Sequence, residues 1–166
     1  MIKISITLLI IALMLIGCDG GLSPSEPVEG VTGKSYLNGT LHFIGGKDSW
    51  PPVDSIFALR VVAFKQYPPG NIIDEIINNR AYFNIESLEL FVDSVNFSLV
   101  IADAPVELKY IAVAWQYKDT ITYQKAAGVF ASFNDRENPT PLSIKPGKSY
   151  NISIDVDFNN LPPQPF

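Results

Sequence analysis

The side chain with the most distinctive chemistry in this 166-residue chain is that of its only cysteine, Cys18. A thiolate is a strong nucleophile that reacts readily with an alkylating group. The chain also holds a single histidine, His42, which the local alternation places on the polar side of a strand. A catalytic triad, or a zinc site made of cysteine and histidine, is therefore not expected.

Carboxylates offer the other chemistry that the sequence could support. Asp155 and Asp157 lie two residues apart on one strand face, near the separation of about 5 to 9.5 Å found in paired-carboxylate hydrolases. That face is expected to meet solvent, so we interpret the pair as an acidic strand surface that discourages edge pairing. Together with Asn159, the two aspartates are also calcium candidates, since calcium prefers oxygen ligands. The segment lacks the glycine and the final glutamate of an EF-hand loop, so we expect no metal and no other cofactor.

The residues before Cys18 have the pattern of a targeting signal. Lys3 makes the start positive, and residues 4–16 contain nothing more polar than Ser5 and Thr7. A membrane-spanning helix needs about 20 apolar residues, so this run of 13 is too short to span and matches the core of a signal peptide. The run ends in Leu15-Ile16-Gly17-Cys18, which resembles the lipobox of bacterial lipoproteins.

That resemblance implies a specific modification. In lipoproteins the cysteine sulfur is joined to diacylglycerol, and a signal peptidase cuts before the cysteine, here between Gly17 and Cys18. The freed amine is usually acylated, and two or three acyl chains hold a protein stably on a membrane, whereas one chain does so only marginally. We therefore expect a lipid-anchored protein of the bacterial cell envelope that faces the periplasm or the exterior. A buried structural cysteine is the alternative, and the choice between inner and outer membrane stays open.

Composition narrows the class of partner. Without residues 1–17 the chain has 11 basic and 17 acidic residues, a formal net charge of −6. Nucleic-acid binders need clustered lysine and arginine, so a nucleic-acid partner is not expected. We divide the chain into a signal peptide (1–17), a lipidated cysteine with a flexible tether rich in Gly, Ser, Pro and Glu (18–34), a β-domain (35–161) and a C-terminal tail (162–166).

Hydrophobic periodicity in the β-domain is mostly two. Segments 35–44, 94–101 and 149–158 alternate apolar and polar residues, which predicts strands buried on one face. Segments 55–65 and 108–117 are apolar on both sides, which predicts central strands covered on both faces. Further strands are predicted at 87–92, 120–124 and 125–131, and short ones near Tyr82 and at 142–144.

One segment departs from this period. In residues 71–79 four isoleucines fall on one side at helical spacing, which predicts a short helix or a crossover insert. The whole pattern predicts an all-β fold, an antiparallel two-sheet Greek-key sandwich of about seven to nine strands, with a closed barrel as the alternative. The segments "LRVVAFKQYPP", "LKYIAVAWQY" and "NPTPLSIKPGKSYNISIDVDF" resemble prealbumin-like (transthyretin-like) sandwiches, close to carboxypeptidase regulatory-like domains. This resemblance over residues 35–160 implies a fold and a location, with no functional residues to transfer.

Aromatic residues in loops give the best argument for binding. Trp50 and Tyr67 lie in Gly- and Pro-rich loops, where exposed rings can stack on a sugar or on a partner peptide. Trp50 is equally compatible with a plug over one end of the fold, whereas Trp115 is expected in the core. Our leading hypothesis is a non-enzymatic, lipid-anchored adhesion, scaffold or accessory module with an envelope protein as partner. The alternative is a module that binds carbohydrate or another small ligand through Trp50 and Tyr67.

Overall fold

The computed structural model describes residues 33–132 and 135–165, which contain nine strands, one α-helix and two short 3₁₀ helices. The 3₁₀ helices span Gly46–Ser49 and Val53–Ser55, and the α-helix, α1, spans Ile72–Ile77. The strands are β1 (Ser35–Phe43), β2 (Ala58–Phe64), β3 (Ala81–Phe83), β4 (Ser94–Ile101), β5 (Val106–Leu108), β6 (Tyr110–Gln116), β7 (Gln124–Val129), β8 (Leu142–Ile144) and β9 (Ser149–Val156). Strands therefore dominate, as the periodicity predicts.

The strictly alternating segments are confirmed as strands β1, β4 and β9. Their apolar residues point inward: Leu37 and Leu41 of β1 are fully buried, and Ile154 of β9 is 1 % exposed. Their polar residues, such as His42 and Asp155, lie on the opposite, exposed face. Alternation thus identified which side of each strand enters the core.

Two strand predictions are wrong, and one strand was missed. Residues 87–92 form no strand. Leu88, Leu90 and Val92 of this segment still pack against the core, because an irregular chain can also direct every second side chain inward. Residues 120–123 form the turn between β6 and β7, which is closed by hydrogen bonds between Tyr117 and Tyr123 and between Tyr123 and Thr120. Strand β5, three residues long, is too short to show a period.

Seven strands form one open sheet in the order β3-β2-β6-β7-β9-β1-β4, and β5 and β8 form a separate antiparallel pair. The sheet is not antiparallel throughout, because β1 and β9 run parallel. Nearly the whole domain lies between these two strands in sequence, which supplies the long connection that parallel pairing needs. β7 and β9 meet only at the pair Gly128–Val156. A Cβ atom at Gly128 would lie 2.8 Å from the carbonyl oxygen of Asp155, so this junction requires glycine.

Buried side chains form two clusters. The main core takes residues from both halves of the sheet, among them Leu41 of β1 and Val61 of β2. The second cluster lies on the other side of β2 and β6, where Val62 and Tyr110 pack with Ile72 of α1. Strands β2 and β6 are therefore buried on both faces, which confirms the prediction from their apolar runs.

The helix predicted near residues 71–79 is confirmed as α1. Asn71 caps it, since its side-chain oxygen accepts a hydrogen bond from the backbone N–H of Ile73 at 2.9 Å. Its buried residues include Ile72, while Ile77 is 70 % exposed at its last position. The helix therefore acts as a cover for the central strands.

Candidate functional site

The predicted lipidation and cleavage residues, Gly17 and Cys18, lie outside the residues that the structure describes. The lipobox therefore stays a prediction from the sequence. Within residues 33–132 and 135–165, no helix has the length and hydrophobicity needed to cross a membrane.

Trp50 fills one end of the main core. Its side chain is 9 % exposed, and its ring centroid lies 4.3 Å from that of Phe43, 5.0 Å from Phe158 and 5.3 Å from Phe91. The indole N–H donates a hydrogen bond to the carbonyl oxygen of Val92 at 2.9 Å. Both the ring faces and the polar atom of Trp50 are thus engaged, which is the geometry of a plug and leaves little ring surface for a ligand.

Tyr67 is exposed and lies in another part of the molecule. Its side chain is 44 % exposed, and its ring centroid is 5.2 Å from that of Tyr110, whose own hydroxyl has a pKa raised by burial. Tyr67 thus lies near the start of β6, where Tyr110 is the first residue. Trp50 lies near the other end of β6, because it contacts Phe158, and Phe158 packs on Trp115. Five residues of strand span about 16 Å, so the structure does not bring Trp50 and Tyr67 together.

The predicted carboxylates line a shallow cleft with a basic side chain. Asp155 and Asp157 border a cleft of about 190 Å³ together with Arg136, which donates a hydrogen bond to the carbonyl oxygen of Asn160 at 2.6 Å. The Asp157 carboxylate accepts a hydrogen bond from the backbone N–H of Asn159 at 3.0 Å, as in a turn. The positive charge of Arg136 in the same cleft works against the binding of a cation such as calcium.

His42 lies beside this cleft, since it is the register partner of Asp155 across the β1–β9 pair. Its side chain is exposed, and no hydrogen bond joins it to another described residue. Among the described residues, no group of three or more His, Cys, Asp or Glu side chains is placed to hold a metal ion. The cleft is thus a mixed-charge surface with the means to bind a polar group by hydrogen bonds.

A second polar cluster was not predicted from the sequence. Lys65 forms an ion pair with Asp103 at 2.6 Å, and the hydroxyl of Tyr82 donates a hydrogen bond to the same carboxylate. The ammonium nitrogen of Lys65 also lies 5.0 Å from the centroid of the Tyr82 ring. These residues border a cleft of about 480 Å³ together with Asn79. Because Lys65 and Tyr82 both satisfy Asp103, the cluster suits hydrogen-bonded recognition better than nucleophilic chemistry.

No sequence pattern indicates this cluster, because its members are far apart along the chain. Lys65 lies at the end of a predicted strand, Tyr82 in a short one and Asp103 in the turn after β4. Their meeting depends on strand pairing: the ladder that pairs Val62 with Phe83 and Phe64 with Ala81 places Lys65 close to Tyr82. No local pattern encodes that contact.

Beside this cluster, a buried carboxylate fastens α1 to the preceding loop. Glu75 is fully buried and accepts hydrogen bonds from Arg80 at 3.0 and 3.1 Å, from Gln66 at 2.7 Å and from the backbone N–H of Gly70 at 3.3 Å. The hydrogen bonds from Arg80 outweigh desolvation and lower the pKa of the Glu75 carboxyl below its ordinary value of 4.5. Glu75 therefore stays ionised and holds the cover in place.

Comparison with known proteins identified no relative of this chain. No protein-family model, curated protein or solved structure was found to match the chain. A functional proposal for this chain therefore rests on its own residues.

Proposed function

We propose that this protein is a lipid-anchored lipoprotein of the bacterial cell envelope, attached through Cys18. The single observation that carries the proposal is the segment Leu15-Ile16-Gly17-Cys18 at the end of a 13-residue apolar run, with no other cysteine in the chain. The described domain begins its first strand at Ser35, so residues 18–34 supply the tether between lipid and domain.

We also infer that the domain is a two-layer Greek-key sandwich of the prealbumin-like kind. The single pair between β7 and β9 supports a division of the long sheet into β4-β1-β9 and β7-β6-β2-β3. Buried residues from both of these groups belong to the same core, as expected when two layers pack face to face.

The proposed role is non-enzymatic: adhesion, scaffolding or assistance to an envelope protein. The placement of Trp50 in the core and the mutual pairing of Lys65, Asp103 and Tyr82 support a module that presents surfaces. The open face of β1, β4 and β9 carries amide and hydroxyl side chains, which suit contact with another polar surface.

Replacement of the cysteine tests the anchor. Cells that express the full chain are labelled with a clickable fatty acid, and the chain is then followed by label and by membrane fractionation. We expect the Cys18→Ala variant to lose the label and to keep residues 1–17, whereas the control Ser25→Ala behaves as the wild type. If Cys18→Ala still carries lipid, the proposal fails.

Carbohydrate binding is the second candidate, now with Tyr67 alone as the exposed loop aromatic of the predicted pair. Its ring is 44 % exposed and backed by Tyr110, which is how an aromatic platform for a sugar is held. Calorimetric titration with a panel of soluble glycans tests this candidate. Saturable binding that is lost in Tyr67→Ala and retained in Tyr123→Ala, a change at a tyrosine of similar exposure (42 %), would support it. No heat with any glycan would count against it.

A further inference from the structure

The edge strand β4 has features that favour pairing with another strand. It is the last strand of the seven-stranded sheet, it is eight residues long, and its sequence "SVNFSLVI" contains no charge and no proline. Natural edge strands are usually protected by a lysine, a proline, a bulge or a very short length. The opposite edge, β3, has the last of these protections, since it is only three residues long.

The hydrogen bonds of β1 show which backbone groups of β4 face outward. Phe43 donates its N–H to the carbonyl oxygen of Asp93, so these opposed residues form a hydrogen-bonded pair at the start of the β1–β4 ladder. Hydrogen-bonded and non-hydrogen-bonded pairs alternate along an antiparallel ladder. The N–H and C=O groups that point away from β1 therefore belong to Ser94, Asn96, Ser98 and Val100.

A hydrogen bond on the other side of β1 agrees with this assignment. Tyr36 donates its N–H to Lys148, just before β9. The backbone N–H of Tyr36 therefore points toward β9 and away from β4. Its register partner on β4, Val100, consequently belongs to a non-hydrogen-bonded pair. Four donors and four acceptors of β4 are thus directed outward, and none of them is bonded to another described residue.

We propose that β4 is a homodimer interface, at which it pairs antiparallel with β4 of a second copy about a two-fold axis at Phe97. In this register Asn96 lies opposite Ser98 of the second copy, and Ser94 lies opposite Val100 of the second copy. All four outward residues of each strand then form hydrogen-bonded pairs, which gives eight backbone hydrogen bonds. A register shifted by two residues forms only three such pairs, so the two-fold arrangement at Phe97 is the most complete one.

A second copy suits this edge for an electrostatic reason as well. The chain carries a formal net charge of −5, so most of its surfaces repel their own copies. Strand β4 is uncharged, and the proposed register sets amide and hydroxyl side chains against each other across the axis. The two Phe97 side chains, each 6 % exposed, point toward the two cores and add no exposed apolar surface.

Site-specific crosslinking tests the register directly. Full-length chains with Asn96→Cys or Ser98→Cys, each with Cys18→Ser so that one thiol remains, are purified in detergent and oxidised alone or mixed. Directly opposed residues of a hydrogen-bonded pair have Cα atoms about 5.5 Å apart, within disulfide reach, whereas diagonal neighbours are about 7 to 8 Å apart. We expect a disulfide dimer in the mixture and little in either variant alone. Equal crosslinking in the single-variant samples would overturn the register.

Self-association of the full chain supplies the second measurement. Ser98→Pro removes an outward N–H from each copy without touching the β1 ladder, so we expect at least about tenfold weaker dimerisation by sedimentation. Ser98 and Asn151 are the two register partners of Asn38, on β4 and β9 respectively. Ser98→Lys therefore adds a charge on the edge strand, and Asn151→Lys adds the same charge inside the sheet. The proposal predicts weaker dimerisation for Ser98→Lys alone. A wild-type chain that stays monomeric at its highest soluble concentration, or equal weakening by both lysines, would overturn it.

Discussion

Two regions of the long sheet differ in the side chains that point away from the main core. On β2 and β6 the outward side chains are mostly apolar, apart from the hydrogen-bonded pair Arg60 and Gln116. Val62, which packs in the same cluster as Ile72 of α1, is 1 % exposed. On β1, β4 and β9 the outward side chains are mostly amides and hydroxyls that lie open, and Val100 is 47 % exposed. The side of the sheet that points away from the main core is thus covered at β2 and β6 (the covered face) and open at β1, β4 and β9 (the open face). In the sequence, continuous apolar runs mark the covered face and strict alternation marks the open face.

The covered face and the open face differ in how much they contribute to stability. Apolar burial contributes about 25 cal/mol per Å² removed from water, so the covered face adds stability, and α1 is the element that makes this burial possible. The open face contributes little to stability by itself, because its polar groups can hydrogen-bond to water in both the folded and the unfolded chain. A surface of that kind is free to serve contact with a partner.

The largest expected difference comes from one substitution made on both faces. Val62→Ala should lower the free energy of unfolding by about 2 to 3 kcal/mol, since it removes two buried methyl groups and leaves a cavity. Val100→Ala should lower it by about 0.5 kcal/mol or less, because the side chain is already half-exposed. Urea denaturation of the two variants and the wild type measures both values. Equal losses would mean that the two faces do not differ in burial.

Much of this contrast could be predicted from the sequence. Strict alternation identified β1, β4 and β9, and continuous apolar runs identified β2 and β6, because burial of one or both faces directly dictates side-chain type. The same reasoning failed at residues 87–92, where Leu88 and Leu90 are half-buried against the core without a strand. Periodicity reports burial, and a hydrogen-bonded ladder is only its most frequent cause.

The candidate sites were harder to predict, for a related reason. The environment of Trp50 depends on Phe43, Phe91 and Phe158, which are distant in sequence and meet only in the folded chain. The same holds for Lys65 and Asp103. Residue type indicated that a ring or a charge was present, but only strand order decided whether it was buried, paired or exposed.

The hydrogen bonds of Glu75 that hold α1 in place should have the next largest effect on stability. Glu75→Gln should destabilise the domain by about 1 to 2 kcal/mol, because hydrogen bonds to a charged acceptor are stronger than those to a neutral one. The effect depends on pH with a defined sign. The pKa of Glu75 is lowered in the folded state, so its stabilisation is present above its ordinary value of 4.5 and is lost as the pH falls through the folded value.

The measurement is the difference in unfolding free energy between wild type and Glu75→Gln as a function of pH. We expect this difference to be constant near neutral pH and to shrink below about pH 4.5. Glu89→Gln is the matched control, since Glu89 is exposed and has no hydrogen bond or ion pair with the described residues. A difference that grows on acidification would show that burial, rather than Arg80, controls the pKa of Glu75.

The smallest effect is expected on the open face, and it tests whether that face is open in solution. The hydroxyl of Thr40 donates a hydrogen bond to the side-chain oxygen of Asn96 at 2.8 Å across β1 and β4. A double-mutant cycle with Thr40→Val and Asn96→Ala should give a coupling of about 0.2 to 0.5 kcal/mol, because water competes for both groups. Urea denaturation at low protein concentration measures this coupling for the monomer. A value above about 1 kcal/mol would require both groups to be shielded from water, as on the covered face, and the distinction between the two faces would then fail.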